Sequence, residues 1–422
     1  MATTIRVNDP IAVKAYSAAL FAKVQEAPGF MRLLSGKMPT LSEFRQKATG
    51  QSKPGYPIVK AGDLAKGAGE AVQITLFNSL SGKPTMGDRK IDGRMMALTA
   101  SSMDLRINQV RFGADAGGRM TQKRTAHNLR AIACAGLQDV MQRYEDQSSL
   151  VHLAGARGSQ DGVDWTIPFE SDPEFRDILV NPVLPPTKNR HFFANDATSI
   201  ENIGTNDVLT TKDIDRIVTS LRESSAPLQA VQVNGDTLGW DKPLWVMLVT
   251  ARQWYYLRKS TAAVEWKQAE QHALARKQAG IKHPLFDATE MIMWSGVLVR
   301  PINRYAIRFN AGDKVKVDSG GADGRTYTEV EQTAAQVTDR AILLGAEALA
   351  KAYGKTQSDY FYDWNEELVD HGNSVEIVTG TMTGAAKVRF KLDGVQTDHG
   401  VAVIDSYAPP VDSPEGRALV NI

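Results

Sequence analysis

Glu366, Glu367, Asp370 and His371 crowd three carboxylates and an imidazole into one short segment, a density that could hold a metal ion or pair a general acid with a base. No second cluster completes such a site. The Gly372-Asn373 pair that follows tolerates left-handed backbone angles, so the segment is expected to be a turn and a subunit contact. Gly354-Lys355-Thr356 imitates the end of a phosphate loop, but that motif needs a glycine five residues before Gly354, where Leu349 stands. It is also expected to follow a helix, whereas a phosphate loop follows a strand. The seven histidines (His127, His152, His191, His272, His283, His371 and His399) form no HExxH pair, and no serine sits in a GxSxG elbow. Cys134, the single cysteine, can neither pair within the chain nor build a CxxC zinc site, and is expected as a small buried side chain. No catalytic residue, cofactor or metal is assigned, and the chain is read as no enzyme.

Charge offers one further candidate. Arg119, Lys123, Arg124 and Arg130 crowd the first half of a predicted helix, where they would oppose its dipole by a few tenths of a kcal/mol each. A solvated helix face is the first reading of such a cluster, and non-specific contact with DNA phosphates or with an acidic surface on a neighbouring subunit is the second. The whole chain gives no such attraction: 49 Lys and Arg against 48 Asp and Glu leave a formal charge of +1. At 422 residues and 42% hydrophobic, it can bury two or three compact cores. The N-terminus lacks a basic start followed by an apolar core, and no run of about 18 apolar residues occurs, so no membrane is expected as a partner.

The elements that would position these residues follow from hydrophobic period. Residues 1–52, with one amphipathic stretch at Ala12–Val24, are expected to form an arm. In 53–113, Val72, Ile74 and Leu76 alternate with polar neighbours, as do Met103, Leu105 and Ile107, which is the period of half-buried strands. The glycine-rich connector between them, holding Gly82, Gly87 and Asp88, is too long for a tight turn. A two-stranded ribbon is marginal alone, so its apolar positions are expected to lie on a neighbouring subunit. From about Arg119 to Leu153, Leu129, Ile132, Ala133, Gly136, Leu137, Val140, Met141 and Tyr144 predict one helix on the order of 50 Å long. Residues 157–209 are proline-rich, without period, and expected at the surface. Thr211–Arg222 and Glu265–Gln278 are expected as helices, Leu244–Val249 as a buried strand running into a helix at Ala251, and Lys314–Thr328 as a hairpin. Thr338–Tyr353 is expected as a helix, with Thr338 as N-cap, Ala341, Gly345, Ala348 and Ala352 along one side, and Gly354 as its stop.

Leu80-Ser-Gly-Lys-Pro-Thr-Met-Gly-Asp88 with Ile91-Asp-Gly93 resembles the loop signature of the major capsid protein family of short-tailed phages that carry a virion RNA polymerase. Three further blocks agree in order: His283–Phe286 with Trp294–Val299, Arg340–Leu349, and Trp364–Glu367 with Asp370–Asn373. Arg94-Met95-Met96 departs from that pattern, in which acidic residues follow Gly93.

The resemblance implies an α+β, Hong Kong 97-type capsid fold: arm (1–52), extended loop (53–113), peripheral domain with a spine helix (114–230), axial domain (231–355), and a return to the peripheral domain (356–422). It implies self-assembly into pentamers and hexamers of an icosahedral head around double-stranded DNA, in a virion assembled in the bacterial cytoplasm. The partners implied are further copies of the chain, a scaffolding protein, a portal and a decoration protein, with non-specific contact to packaged DNA. Inter-subunit contact is assigned to Val72, Ile74, Leu76, Gly82, Gly87, Asp88, Leu105 and Ile107. An encapsulin-like nanocompartment shell shares the fold and stands as the alternative, and a soluble hydrolase or nucleotide enzyme as the rival from another class.

Overall fold

In the computed structural model the described residues are 17, 20, 33–36, 55–61, 71–77, 84–86, 100–162, 164–233, 243–278, 283–286, 290–302, 304–323, 325–354, 361–392 and 394–420. Strands β1 (Ile58–Ala61), β2 (Ala71–Phe77), β3 (Ala100–Arg106) and β4 (Asn108–Gly118) lead into helices α1 (Arg119–Arg124) and α2 (Leu129–Ala154). Then come α3 (Phe175–Leu179), β5 (His191–Phe193), α4 (Thr211–Glu223), β6 (Trp245–Thr250), α5 (Ala251–Ser260) and α6 (Ala263–Gln278). The rest is mostly strand: β7 (Ile292–Trp294), β8 (Val297–Ile302), β9 (Arg308–Phe309), β10 (Lys314–Asp318), β11 (Glu329–Thr333), β12 (Thr338–Leu344), β13 (Leu349–Tyr353) and β14 (Tyr362–Val369). β15 (Ser374–Lys387), β16 (Arg389–Leu392), β17 (Val395–Asp398) and β18 (Val401–Tyr407) follow, with α7 (Pro414–Val420) last.

Two sheets carry the molecule. In the first, β15 is the axis: β14 and then β13 pair along one edge, β4 pairs along the other, and β1 lies parallel to β13. The second has seven strands in the order β5-β18-β12-β6-β8-β7, with β9 also on β12. Its central strands β6, β12 and β18 are buried along their whole length, because helices and loops cover both faces. The helices around it form as the sequence predicts. Thr210 and Asp213 close a capping box on α4, whose Ile214, Ile217, Val218 and Leu221 fall on one buried face, and Thr250 with Gln253 caps α5 where β6 ends.

The long helix is broken. Asn128 caps α2 by accepting from the Ala131 amide at 3.1 Å, while Gln122 donates to the His127 carbonyl at 2.7 Å and accepts from the Leu129 amide at 3.2 Å. These local bonds offer the backbone an alternative to a helical turn at 125–128, so the expected single helix becomes α1, a corner, and α2. Every residue from Tyr144 to Ala154 is buried, with β15 and β4 on one side and Ile167, Phe175 and Leu179 on another. Residues 157–209 are thus irregular as expected but not superficial, since these three and Ala194, Ile200 and Leu209 are buried.

The predicted helix over Thr338–Tyr353 is instead β12 and β13, which pass from the second sheet to the first with only Gly345–Ala348 between them. Thr338 caps nothing, and Gly354 follows a strand. The hairpin at Lys314 is present, but its second strand is Glu329–Thr333. The sheets also cross the expected domain limits: β13 belongs to the first sheet, and β18 to the second.

Candidate assembly interface

β2 and β3 form the expected ribbon, paired from Ala71 opposite Arg106 to Phe77 opposite Ala100. Val72 faces Leu105 and Ile74 faces Met103, which puts the apolar positions of both strands on one side. That side does not await a neighbour at its base. Val72 and Leu105 are buried, and with Ile74, Met103 and Ile107 they pack on Ala350, Ala352, Ala386, Val388 and Phe390 of the same chain. The side chain of Leu76, and Gly82, Gly87 and Asp88, lie outside the described residues. Met86, farther along the connector, is 69% exposed.

Where the ribbon joins the first sheet, β3 passes into β4 with Ile107 alone between them. The Asn181 amide takes the place of a partner strand there: its Oδ1 accepts from the Arg106 amide at 3.0 Å, and its Nδ2 donates to the Arg106 carbonyl at 2.9 Å. Two glycines let the strand cross this closely. A Cβ on Gly384 would stand 1.9 Å from the Arg106 carbonyl oxygen, and one on Gly354 would stand 2.7 Å from Ile107 Cδ1. Gly354 is therefore a packing residue, not part of a phosphate loop. A cleft of about 450 Å³ flanks the joint, lined among others by Arg106, Asn108, Arg176, Asp177 and Met382. None of this was evident from the sequence, where Asn181 is an isolated amide in a segment without period.

The four cations part company. Arg119, Lys123 and Arg124 are exposed on α1, which buries no side chain. Lys123 and Arg124 occupy its last turn, so they complement the dipole they were expected to oppose. Arg130 instead grips Glu366 with two nitrogens, Nε to Oε2 at 2.9 Å and Nη2 to Oε1 at 2.8 Å, and the Trp364 indole donates to the same carboxylate at 2.9 Å. Arg130 thus latches α2 to β14. Cys134 lies beside this latch and is half-buried; burial and Glu366 push its thiol upward, which keeps it protonated.

The acidic segment divides along the strand: Glu366 points to α2, while Glu367 faces the opposite side of the sheet. At the tip of the β14–β15 hairpin, Asp370, His371 and Gly372 take the left-handed angles and Asn373 does not. The Asn373 carbonyl accepts from the Arg119 amide at 3.1 Å and so ties the tip to α1. Among the described residues no group of three or more His, Cys, Asp or Glu is placed to hold a metal, and no helix is long and apolar enough to cross a membrane.

Buried ion pairs fasten this surface to the body. Arg340 holds Asp405 through two bonds of 2.7 Å and donates to the Ala154 carbonyl at 3.0 Å, which satisfies the buried end of α2. Burial alone would raise the Asp405 carboxyl; Arg340 and His191 outweigh it and hold it well below the usual range. Lys351 pairs with Glu145 of α2, and Lys387 and Arg389 share Asp398 at 3.0 and 2.6 Å. Burial pushes the Lys387 ammonium down to about 8 despite Asp398.

Residues 4–410 match the model of a family described as phage capsid protein. The chain belongs to that family. Among solved structures, the capsid protein is similar to the capsid of Ralstonia phage GP4, with a TM-score of 0.72 and 25% identity over 98% of this chain and 100% of that one. It is also similar to the capsid of cyanophage Pam1 (TM-score 0.57, 18% identity, 84% of this chain and 90% of that one). A third is the capsid of Helicobacter pylori bacteriophage KHP30 (TM-score 0.53, 12% identity, 84% and 89%). No curated protein matches it by sequence. The fold is that of the Hong Kong 97-type major capsid proteins, and the chain is a component of the virion, a major capsid protein that forms the phage head.

Proposed function

We propose that this capsid protein forms pentamers and hexamers that close into an icosahedral shell around double-stranded DNA. The observation that carries the reading is the end-to-end likeness to one capsid chain, matched over its full length. In this reading the first sheet with α2 is the peripheral domain and the seven-stranded sheet the axial domain. Within residues 53–113 the β2–β3 ribbon and its connector are the extended loop, rooted on their own subunit by Val72, Ile74, Leu105 and Ile107, while β1 and the start of β4 belong to the first sheet. The part beyond Phe77, with exposed Met86, reaches the neighbour together with Gly82, Gly87 and Asp88. The four sequence blocks favour kinship with short-tailed, polymerase-carrying phages. A scaffolding protein, a portal and a decoration protein are its partners during and after assembly, and DNA is held without sequence preference.

Electron microscopy of the expressed chain tests this. Closed shells or rings are expected, and monomers at high concentration overturn it. Met86→Glu should reduce shell yield by tenfold or more while leaving the monomer's melting temperature unchanged. By contrast, Ile74→Asp is expected to lower the monomer's melting temperature along with shell yield, because Ile74 packs on its own chain.

A further inference from the structure

The face of the first sheet turned away from α2 carries an unusual row. Glu367 stands opposite Glu376, and Glu376 opposite Asp115, so three exposed carboxylates line up across β14, β15 and β4. Directly opposed side chains in a sheet sit about 5 Å apart at Cβ, and like charges there oppose pairing. Asp115 is partly occupied, accepting from the Gly117 amide at 2.8 Å. The nearest cation on the same face of β4 is Arg111, which lies beside Gly380, farther along the strands. The same corner of the molecule bears the opposite sign, also unspent: Arg119, Lys123 and Arg124 are exposed, and no ion pair joins them to the row among the described residues. A six-residue helix with no buried side chain has little to hold it in water.

We infer that this sheet face is a docking surface for a second copy of the chain, whose α1 lays Arg119, Lys123 and Arg124 against Glu367, Glu376 and Asp115. Charge complementarity selects the occupant, since neither set has an ion-pair partner among the described residues. A corner bearing both signs can give its acid row to one neighbour and its helix to the next. Used in that way the contact is heterologous, and in a closed shell it runs around a rotation axis. The inference rests on the shell reading and adds the residues of one contact to it.

The test uses particles assembled from a mixture of light and 15N-labelled chains, treated with a zero-length carbodiimide. Crosslinks from Lys123 to Glu367 or Glu376 that join light to heavy peptides are expected. Glu367→Gln with Glu376→Gln should raise the melting temperature of the monomer, by relieving the row, and yet lower particle yield several-fold. A merely structural role would move both in one direction. Glu367→Lys with Glu376→Lys should abolish particles, and adding Lys123→Glu with Arg124→Glu should restore them. Wild-type yield from Glu367→Lys with Glu376→Lys overturns this contact and leaves the shell reading standing. A wild-type chain that forms no particle overturns both.

Discussion

At the scale of single residues, the interior holds charge, with Lys60, Glu145, Arg340, Lys351, Lys387 and Asp405 all buried. Lys60, fully buried on β1, has its ammonium pushed from 10.5 down to about 7, first by burial and then by Lys351, with Glu145 pulling the other way. Unfolded, the same lysine keeps its proton up to its ordinary value. Between pH 7 and 10.5 the unfolded chain therefore binds more protons, and stability rises with pH across that window. Below 7 the lysine is charged in both states and the whole penalty of burying it is present. Lys60→Met removes a buried charge repelled by Lys351 while leaving Glu145 its Lys351 partner, and is expected to stabilise the subunit in neutral or mildly acidic buffer. The gain should fade toward the upper end of the window, and a gain that does not vary with pH in thermal melts would contradict the assignment.

At the scale of elements, the joint between ribbon and sheet depends on atoms that no side chain can replace. Gly384→Ala puts a methyl group where the Arg106 carbonyl lies, and a loss of about 1–3 kcal/mol is expected. Asn181→Ala removes two bonds to the same peptide and should cost a similar amount. Hydrogen exchange should quicken at Leu105 and Arg106 in both variants and stay unchanged in α4. Strands and helices with a single covered face, such as α4, were legible from period alone. β12 and β13 were not: they are Ala- and Leu-rich, which favours helix locally, and burial on both faces erases the alternation of a strand. What decides them is β18, β6 and β15, whose hydrogen bonds come from distant sequence. The same distance hid the candidate site. Asn181 meets Arg106 across 75 positions, and Glu376 meets both Glu367 and Asp115 only once the sheet exists.

At the scale of the molecule, α2 is bolted to both sheets by buried pairs, Glu145 to Lys351 of the first and the Ala154 carbonyl to Arg340 of the second. Removing one member of such a pair strands its partner, so Asp405→Ala is expected to lower stability by about 3–5 kcal/mol. Both sheets should lose that stability together. Unfolding followed by variants that keep only Trp245, in the second sheet, or only Trp364, in the first, should give coincident curves, and two separate transitions would contradict a single cooperative body. The passage from β12 to β13 carries a mechanical corollary. Gly345 leaves no room even for a methyl group, as a Cβ there would sit 2.4 Å from the Gln229 carbonyl oxygen, so the crossing has no slack. Tension in the wall of a filled head would run from one sheet into the other along covalent backbone, so the two sheets would be displaced together rather than slide past each other.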